Sequence, residues 1–330
     1  MSAKEDVMMC DCFKSRFLSL LMMTVFAFSS AVYAQESVPP AERNPSVSAG
    51  ETPAQADPDS GKKSAVRYGI LFGEVPLITF FGAKAWNWDA DHSFYSKNEG
   101  WFGAGTDYGG QDKMGHGFAH YVLQRSMYQV FNWTENGGSM KWVYSISTSM
   151  ACGFLIEIGD GFSSKYGFSF QDLTIDYAGI LLGAMLDRFP VLDGFVGFSA
   201  HWSPSDAYIE RYKARSAFTD SLDFVNDYSA WKFMLNFKFA GFRNLGFKVP
   251  LALRILQLDV GYYTRGYSNY DKGKWARPHE RDVFVGISVN SAQVIEETWG
   301  EYRDNSSYKV SHTFFEYYHV PLDAQHSFKL

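Results

Sequence analysis

Residues 109–121 read GGQDKMGHGFAHY, and no other stretch of the chain limits its fold so strongly. On a helix, Asp112, His116 and His120 recur at i, i+4 and i+8 and share one face, with Lys113 beside them. Phe118, Val122 and Leu123 fall on other faces, so the stripe runs along a mostly apolar helix. A charged stripe on such a helix needs partners or a ligand, because unpaired charge is expensive in an apolar interior. Gly115 and Gly117 flank His116 and each weakens the helix by roughly 1 kcal/mol. Close approach of another backbone or of a ligand is the usual reason for glycines of that kind. Taken singly, each polar residue has an ordinary reading: Asp112 as an N-cap, the histidines as buried and hydrogen-bonded. The four together read better as a site.

Ahead of this stretch, residues 1–34 read as a secretory signal. Lys14 and Arg16 form its positive region, residues 17–31 its apolar region, and Val32-Tyr33-Ala34 its cleavage site. A membrane anchor fits less well, since the apolar run is short and thirty polar residues follow. Cys10 and Cys12 precede the apolar run and leave with the signal, so Cys152 has no partner for an intramolecular disulfide. It reads as a small core residue. Residues 35–64 are rich in Pro, Ser, Ala, Glu and Asp and bury too little to offset the entropy of ordering; they read as a disordered linker. The signal is charge-neutral, so the mature chain keeps the net charge of −6 without any basic run, which argues against nucleic acid. An aromatic fraction of 18% suits a membrane interface or a compact β-rich core.

Residues 66–86 predict one helix, kinked or broken near Pro76. The glycine-rich loop before Asp112 has no Walker-type spacing, and no nucleotide cofactor is expected. A second helix runs from the 109–121 stretch to about Trp133, where Asn136-Gly137-Gly138 makes a turn. A third spans residues 140–158, carries Glu157 near its end and is followed by Asp160. A fourth starts near Ser169, with Asp172 in a capping arrangement and Asp176 one turn later. Asp112, Lys113, His116, His120, Glu157, Asp160, Asp172 and Asp176 thus become candidates for one polar cluster. The balance is acid-heavy, which favours an external cation, with Asp176 the carboxylate that the fold can spare. A divalent metal on some of His116, His120, Glu157 and Asp160 is one reading; an ion-pair network through Lys113 and general acid–base work are others. H-x-x-x-H here is not the zinc-protease motif, because Gly117 stands where its glutamate would be.

These residues carry a resemblance. Glu99-Gly100-Trp101-Phe102 with Gly109-Gly110-Gln111-Asp112-Lys113-Met114-Gly115-His116 resembles the first signature of the YfiM-like family of periplasmic proteins of unknown function. Glu157, Asp160-Gly161, Tyr166-Gly167-Phe168-Ser169 and Asp172 resemble its second, with Asp176 standing where Asn is expected. More distantly both halves are similar to VanZ-like proteins, whose Asp-Lys-x-x-His and later Glu and Asp lie on membrane-embedded helices. The likeness covers residues 94–188 and implies a neighbourhood, the periplasmic side of a Gram-negative envelope, without a reaction.

After Pro190 the pattern changes to period two. Residues 191–202, 231–239, 253–263, 282–289 and 308–318 read as strands of an antiparallel sheet with one wet face. The same alternation suits outer-membrane strands with a lipid face and a lumen face, but the strands are few for a closed barrel. The expected fold class is therefore α+β: an N-terminal helical bundle (65–190) carrying the polar Asp/Lys/His/Glu cluster, followed by an antiparallel β part (191–330). The expected function is that of an exported, membrane-associated envelope protein, at the outer membrane, whose cluster binds a lipid head group or a cation. The alternative is a metal-assisted hydrolase acting on an envelope lipid or a phosphorylated compound. Membrane or lipid is the expected partner; nothing points to a protein partner.

Overall fold

The computed structural model describes residues 58–85, 88, 92–213, 224, 227–268 and 270–330. The signal and residues 35–57 of the expected linker lie outside the described residues. Helix α1 (Ser60–Ala85) begins inside the stretch read as linker and runs unbroken through Pro76. The proline removes the N–H that would bond the Phe72 carbonyl, but both residues face solvent, where water replaces the lost donor.

Three long helices follow: α2 (Gln111–Thr134), α3 (Met140–Gly161) and α4 (Phe170–Arg188), then a single turn α5 (Pro190–Asp193). Asp112 is not the N-cap of α2. That position belongs to Gly110, whose φ of 89° is left-handed, and a Cβ there would strike the Phe102 backbone at 2.9 Å. Ser169 does cap α4, its Oγ accepting the Asp172 N–H at 3.2 Å. Close approach explains Gly117: a Cβ on Gly179 of α4 would lie 2.1 Å from the Gly117 carbonyl oxygen. Helices α2 and α4 run parallel with their backbones touching, and α3 runs antiparallel to α2, so that Gln124 donates to Ser145 Oγ at 3.3 Å.

The β part is a meander of β1 (Val196–Trp202), β2 (Trp231–Lys238), β3 (Leu256–Arg265), β4 (Glu280–Val289) and β5 (Asp323–Lys329). All neighbours pair antiparallel, in the order β1-β2-β3-β4-β5. Short helices α6 (Asp206–Lys213) and α7 (Leu251–Arg254) lie in its connections, and α8 (Ser291–Trp299) and α9 (Ser306–Tyr317) separate β4 from β5. Residues 308–318, read as a strand, are helical. Asn305 caps α9 by accepting the Ser307 N–H at 2.8 Å. Rings four apart, Tyr308 with His312 and Phe314 with Tyr318, then stack on its surface, the i,i+4 pairing that a helix rewards.

The two parts share a core. Phe118, Tyr121 and Val122 of α2 and Leu186 of α4 pack on Phe198, Ala200 and Phe233 of the sheet, with Phe118 edge-on to Phe198 at 5.4 Å. The start of α2 is pinned as well. Gln111 Nε2 donates to the Trp231 carbonyl at 2.9 Å, and the Tyr262 hydroxyl donates to the Gly109 carbonyl. The charged end of α2 is thereby fixed against the β part.

The sheet corrects one expectation. Its polar side chains are not on a wet face: Ser199, His201, Asn236, Gln257, Asp259, Asp282 and Ser288 are all buried. Asn236 and Gln257 both donate to Asp259 Oδ1, at 2.8 and 2.9 Å. The alternate positions, Leu235, Phe237, Val260, Val285 and Ile287, are the exposed ones.

Candidate functional site

Lys113 is 1% exposed and surrounded by carboxylates. Its Nζ lies 2.7 Å from Glu99 Oε2, 2.7 Å from Asp112 Oδ2 and 2.6 Å from Asp172 Oδ1. Burial works against its charge, but Asp112, Asp172 and Glu99 outweigh it and hold the ammonium well above its ordinary range. The same contacts act in reverse on Glu99: burial opposes ionisation, yet Lys113 draws its carboxyl down to about 2. Glu99 reaches the cluster from the loop before α2, where no periodicity marks it.

One turn further along α2, His116 Nδ1 donates to Asp176 Oδ1 at 3.0 Å, and His120 Nδ1 lies 2.7 Å from the same oxygen while bonding the His116 carbonyl at 3.2 Å. The imidazoles stand nearly parallel, 6.5 Å apart. Asp176, read as the spare carboxylate, is fully buried and paired twice. Burial would raise its carboxyl, but His120 and His116 hold it far below the usual range. His120 Nε2 and Asp176 Oδ2 have no hydrogen-bond partner among the described residues. Both face Gly153 of α3, where a Cβ would come within 3.1 and 3.2 Å of them.

Glu157 enters from α3, 2% exposed, its Oε2 accepting the Ser169 N–H at 2.9 Å. Burial, with Asp172 and Asp160 adding to it against His116, pushes its carboxyl up to about 9. Asp172 is pushed up to about 6, burial prevailing over His116 and Lys113. His116 moves the other way: burial would lower it, but Asp172, Asp176 and Glu157 raise it to about 10. Its side chain is 27% exposed, the most open of the inner group. Asp160 turns aside, accepting from Trp88 Nε1 at 3.0 Å. The β part also contributes. Tyr228, in ring contact with Tyr108 at 4.3 Å, is half-buried; desolvation, then Tyr108, Asp112, Tyr166 and Glu99, hold its phenol well above its ordinary range. No sequence pattern pointed to Tyr228.

Three sets of side chains bring one ligand atom each within 4.8 Å of one another: His116, His120 and Asp176; Glu99, Asp112 and Asp172; His116, Glu157 and Asp172. In the first, both imidazoles already lie against one carboxylate oxygen. In the second, the Lys113 ammonium supplies the cation. In the third, Lys113 reaches Asp172 alone, at 2.6 Å, Glu157 faces no cation but the imidazole, and both acids are pushed up. With Nδ1 of His116 committed to Asp176, Nε2 is the nitrogen left to ligate, the carboxylate–histidine arrangement that orients metal ligands elsewhere.

Residues 98–188 match the model of a family described as predicted periplasmic lipoprotein (DUF2279). That span holds every residue of the cluster except Tyr228. No curated protein and no solved structure matches the chain. Cys152, the cysteine among the described residues, is buried in α3, a position that offers no attachment point for an acyl chain. No helix among the described residues is long and apolar enough to cross a membrane.

Proposed function

We propose that the chain is an exported envelope protein that holds a divalent cation on His116, Glu157 and Asp172. The observation that carries this reading is the convergence of those three groups, in which Glu157 is buried with no cationic partner but the His116 imidazole. Asp176 serves as the positioning residue, fixing the tautomer of His116 through a bond to Nδ1. One imidazole and two carboxylates suit Zn²⁺ or Mn²⁺ better than a soft, thiolate-seeking ion. Binding would displace protons from His116 Nε2, from Glu157 and, at low pH, from Asp172, so affinity should rise with pH.

Three protein ligands leave coordination positions open, and the exposed side of His116 is where an outside ligand would enter. An anionic oxygen, such as a lipid head-group phosphate, fits that position. Export is supported by the signal read in residues 1–34 and by the description of the family whose model matches residues 98–188. The YfiM-like and VanZ-like likenesses and the outer-membrane location form the finer part of the same proposal. The open position also favours a second reading, metal-assisted hydrolysis of a phosphorylated envelope compound, with water in that position.

Calorimetric titration of chelator-stripped protein with Zn²⁺ and Mn²⁺, backed by elemental analysis, tests the site. One ion per chain is expected, tightening from pH 6 to pH 8, and His116→Ala should weaken it at least a hundredfold. Binding that is substoichiometric, or unchanged in His116→Ala and Glu157→Gln, overturns the reading. Metal-dependent release of phosphate from a phosphodiester panel would select the hydrolytic version.

A further inference from the structure

The sheet is inverted relative to a water-soluble one, and the inversion has a direction. Its polar face is closed by the chain's own C-terminal segment: Lys238 pairs with Glu316 of α9, and His201 Nδ1 bonds the His319 carbonyl at 2.9 Å. On the opposite face, α2 and the loop before it cover the end that holds Phe233 and Tyr262 and leave the rows beyond it bare. Strand register sets Leu235, Val260 and Val285 in one cross-strand row, and Phe237, Leu258 and Ile287 in the next. Ile287 is 50% exposed and Phe328, on β5, 52%.

The second row adjoins the β2–β3 connection, a 3-10 turn (Phe239–Leu245) followed by α7. Phe242, Leu245, Phe247, Leu251 and Leu253 are exposed along it, Phe247 at 62%. Phe195, just beyond α5, meets Phe242 edge-on at 5.1 Å, and the exposed Phe189 and Val191 extend the surface toward the end of α4. Contiguous apolar surface on this scale marks an interaction site.

Charge indicates which partner it fits. The chain carries a net charge of −6, yet exposed Arg188, Arg243 and Lys248 rim this surface. Arg243 reaches Glu297 at 3.4 Å, and Arg188 lies over the Phe189 ring at 5.5 Å. Lys248 has no acidic partner among the described residues. Protein interfaces need about one hydrogen bond per 100–200 Å², whereas the two rows present no polar side chain until His326 on the edge strand. Acyl chains ask for none, and phosphate groups would meet the basic rim.

We propose that the β2–β3 connection and the adjoining outer face of the sheet dock on an anionic phospholipid bilayer, Phe242, Leu245 and Phe247 entering it with Arg188, Arg243 and Lys248 at head-group level. This stands apart from the cation site and does not depend on it. The test is flotation of the full chain with phosphatidylglycerol–phosphatidylcholine vesicles and with phosphatidylcholine alone. Binding should favour the anionic vesicles and weaken as salt is raised. Leu245→Ser with Phe247→Ser should lower the vesicle affinity at least tenfold, and Arg243→Glu with Lys248→Glu should abolish the preference for the anionic lipid, all with wild-type melting curves. An environment-sensitive dye on Leu245→Cys should shift to the blue on vesicle addition, which reports insertion whatever else tethers the chain. A dye that stays in water overturns the proposal. So does a wild-type chain that ignores vesicles but forms dimers lost in the Leu245→Ser, Phe247→Ser variant, since that assigns the surface to a second copy.

Discussion

Replacing Glu157 with glutamine is expected to stabilise the metal-free protein, increasingly so as the pH rises. The Glu157 side chain is buried, and its one hydrogen bond, from the Ser169 N–H at 2.9 Å, is one a glutamine carbonyl keeps. Burial, assisted by Asp172 and Asp160 and opposed by His116, lifts its carboxyl from 4.5 to about 9. The unfolded chain therefore loses this proton near 4.5, while the native state holds it to about 9. Across that window the native state binds more protons, so stability falls as pH rises. At about 1.36 kcal/mol per pH unit, the penalty is negligible at pH 4, about 3 kcal/mol at pH 7 and about 6 kcal/mol at pH 9. Glutamine does not titrate, and its amide gives Asp172 and Asp160 a donor in place of a repelling charge. For a folded part of this size, 3 kcal/mol corresponds to about 5 °C in Tm. Urea and thermal unfolding in chelator at pH 5, 7 and 8.5 would follow the gap between the two proteins. A gap constant with pH, or a variant less stable than wild type at pH 8.5, would refute the argument and leave Glu157 an ordinary paired carboxylate. Added Zn²⁺ should reverse the order, since only the wild type gains the binding free energy.

Lys113→Met should cost about 3–5 kcal/mol in denaturant unfolding, because it leaves Glu99, Asp112 and Asp172 buried without their common cation; a change under 1 kcal/mol would mean that the three acids are solvated. His116→Gln, measured in chelator, should lose most stability near pH 6 and progressively less toward pH 10. The imidazolium of His116 is raised to about 10, so its contribution is complete below its ordinary 6.5 and disappears as pH climbs through 10. Gly179→Ala should destabilise by several kcal/mol, since its Cβ would sit 2.1 Å from the Gly117 carbonyl oxygen and neither backbone can yield alone; a melting curve within 2 °C of wild type would show that α2 and α4 slide freely.

The helical cluster was legible because helix periodicity aligns residues without knowledge of the tertiary fold. Asp112, His116 and His120 share a face on the spacing alone, and Ser169 announces the start of α4. Pairings across helices were not legible. The acid excess was visible, but Asp176 looked spare and is instead the carboxylate that holds both imidazoles. Asp160 looked like a ligand and is turned to Trp88. Glu99 and Tyr228 come from a loop and from the β part, where only the folded chain brings them near. In the sheet, alternation identified β1 to β4 but not which face was wet, since period two is the same for either orientation. Residues 308–318 misled because aromatic side chains raise strand propensity, while the Asn305 cap and i,i+4 ring pairs decide for helix. Strand β5, with Asp323, Gln325 and His326 among its residues, lacks the apolar alternation that would have marked it.

Beside the apolar core that they share, both halves bury a polar group of residues and leave apolar side chains outside, and that has a physical consequence. In water the hydrophobic effect would favour the reverse, and each bare Leu or Phe forfeits about 1.5–3 kcal/mol available from burial. Helices α3 and α4 leave Val143, Phe154, Phe170, Leu181 and Met185 exposed around the Lys113 and His116 groups. The sheet leaves its aliphatic rows bare around Asp259 and Asn236. A chain that tolerates this on both halves rests on the shared apolar core and close helix contacts, and would gain further if something apolar covered the outside. A lipid surface would do so without displacing any of the internal pairs, because none of the exposed rows contributes a side chain to the cluster. Docking and cation binding are therefore expected to be thermodynamically separable: vesicles should raise the melting temperature of Glu157→Gln and of wild type alike, and Zn²⁺ that of wild type alone. A vesicle effect that disappears in Glu157→Gln would show that the apolar surface and the cluster form one device.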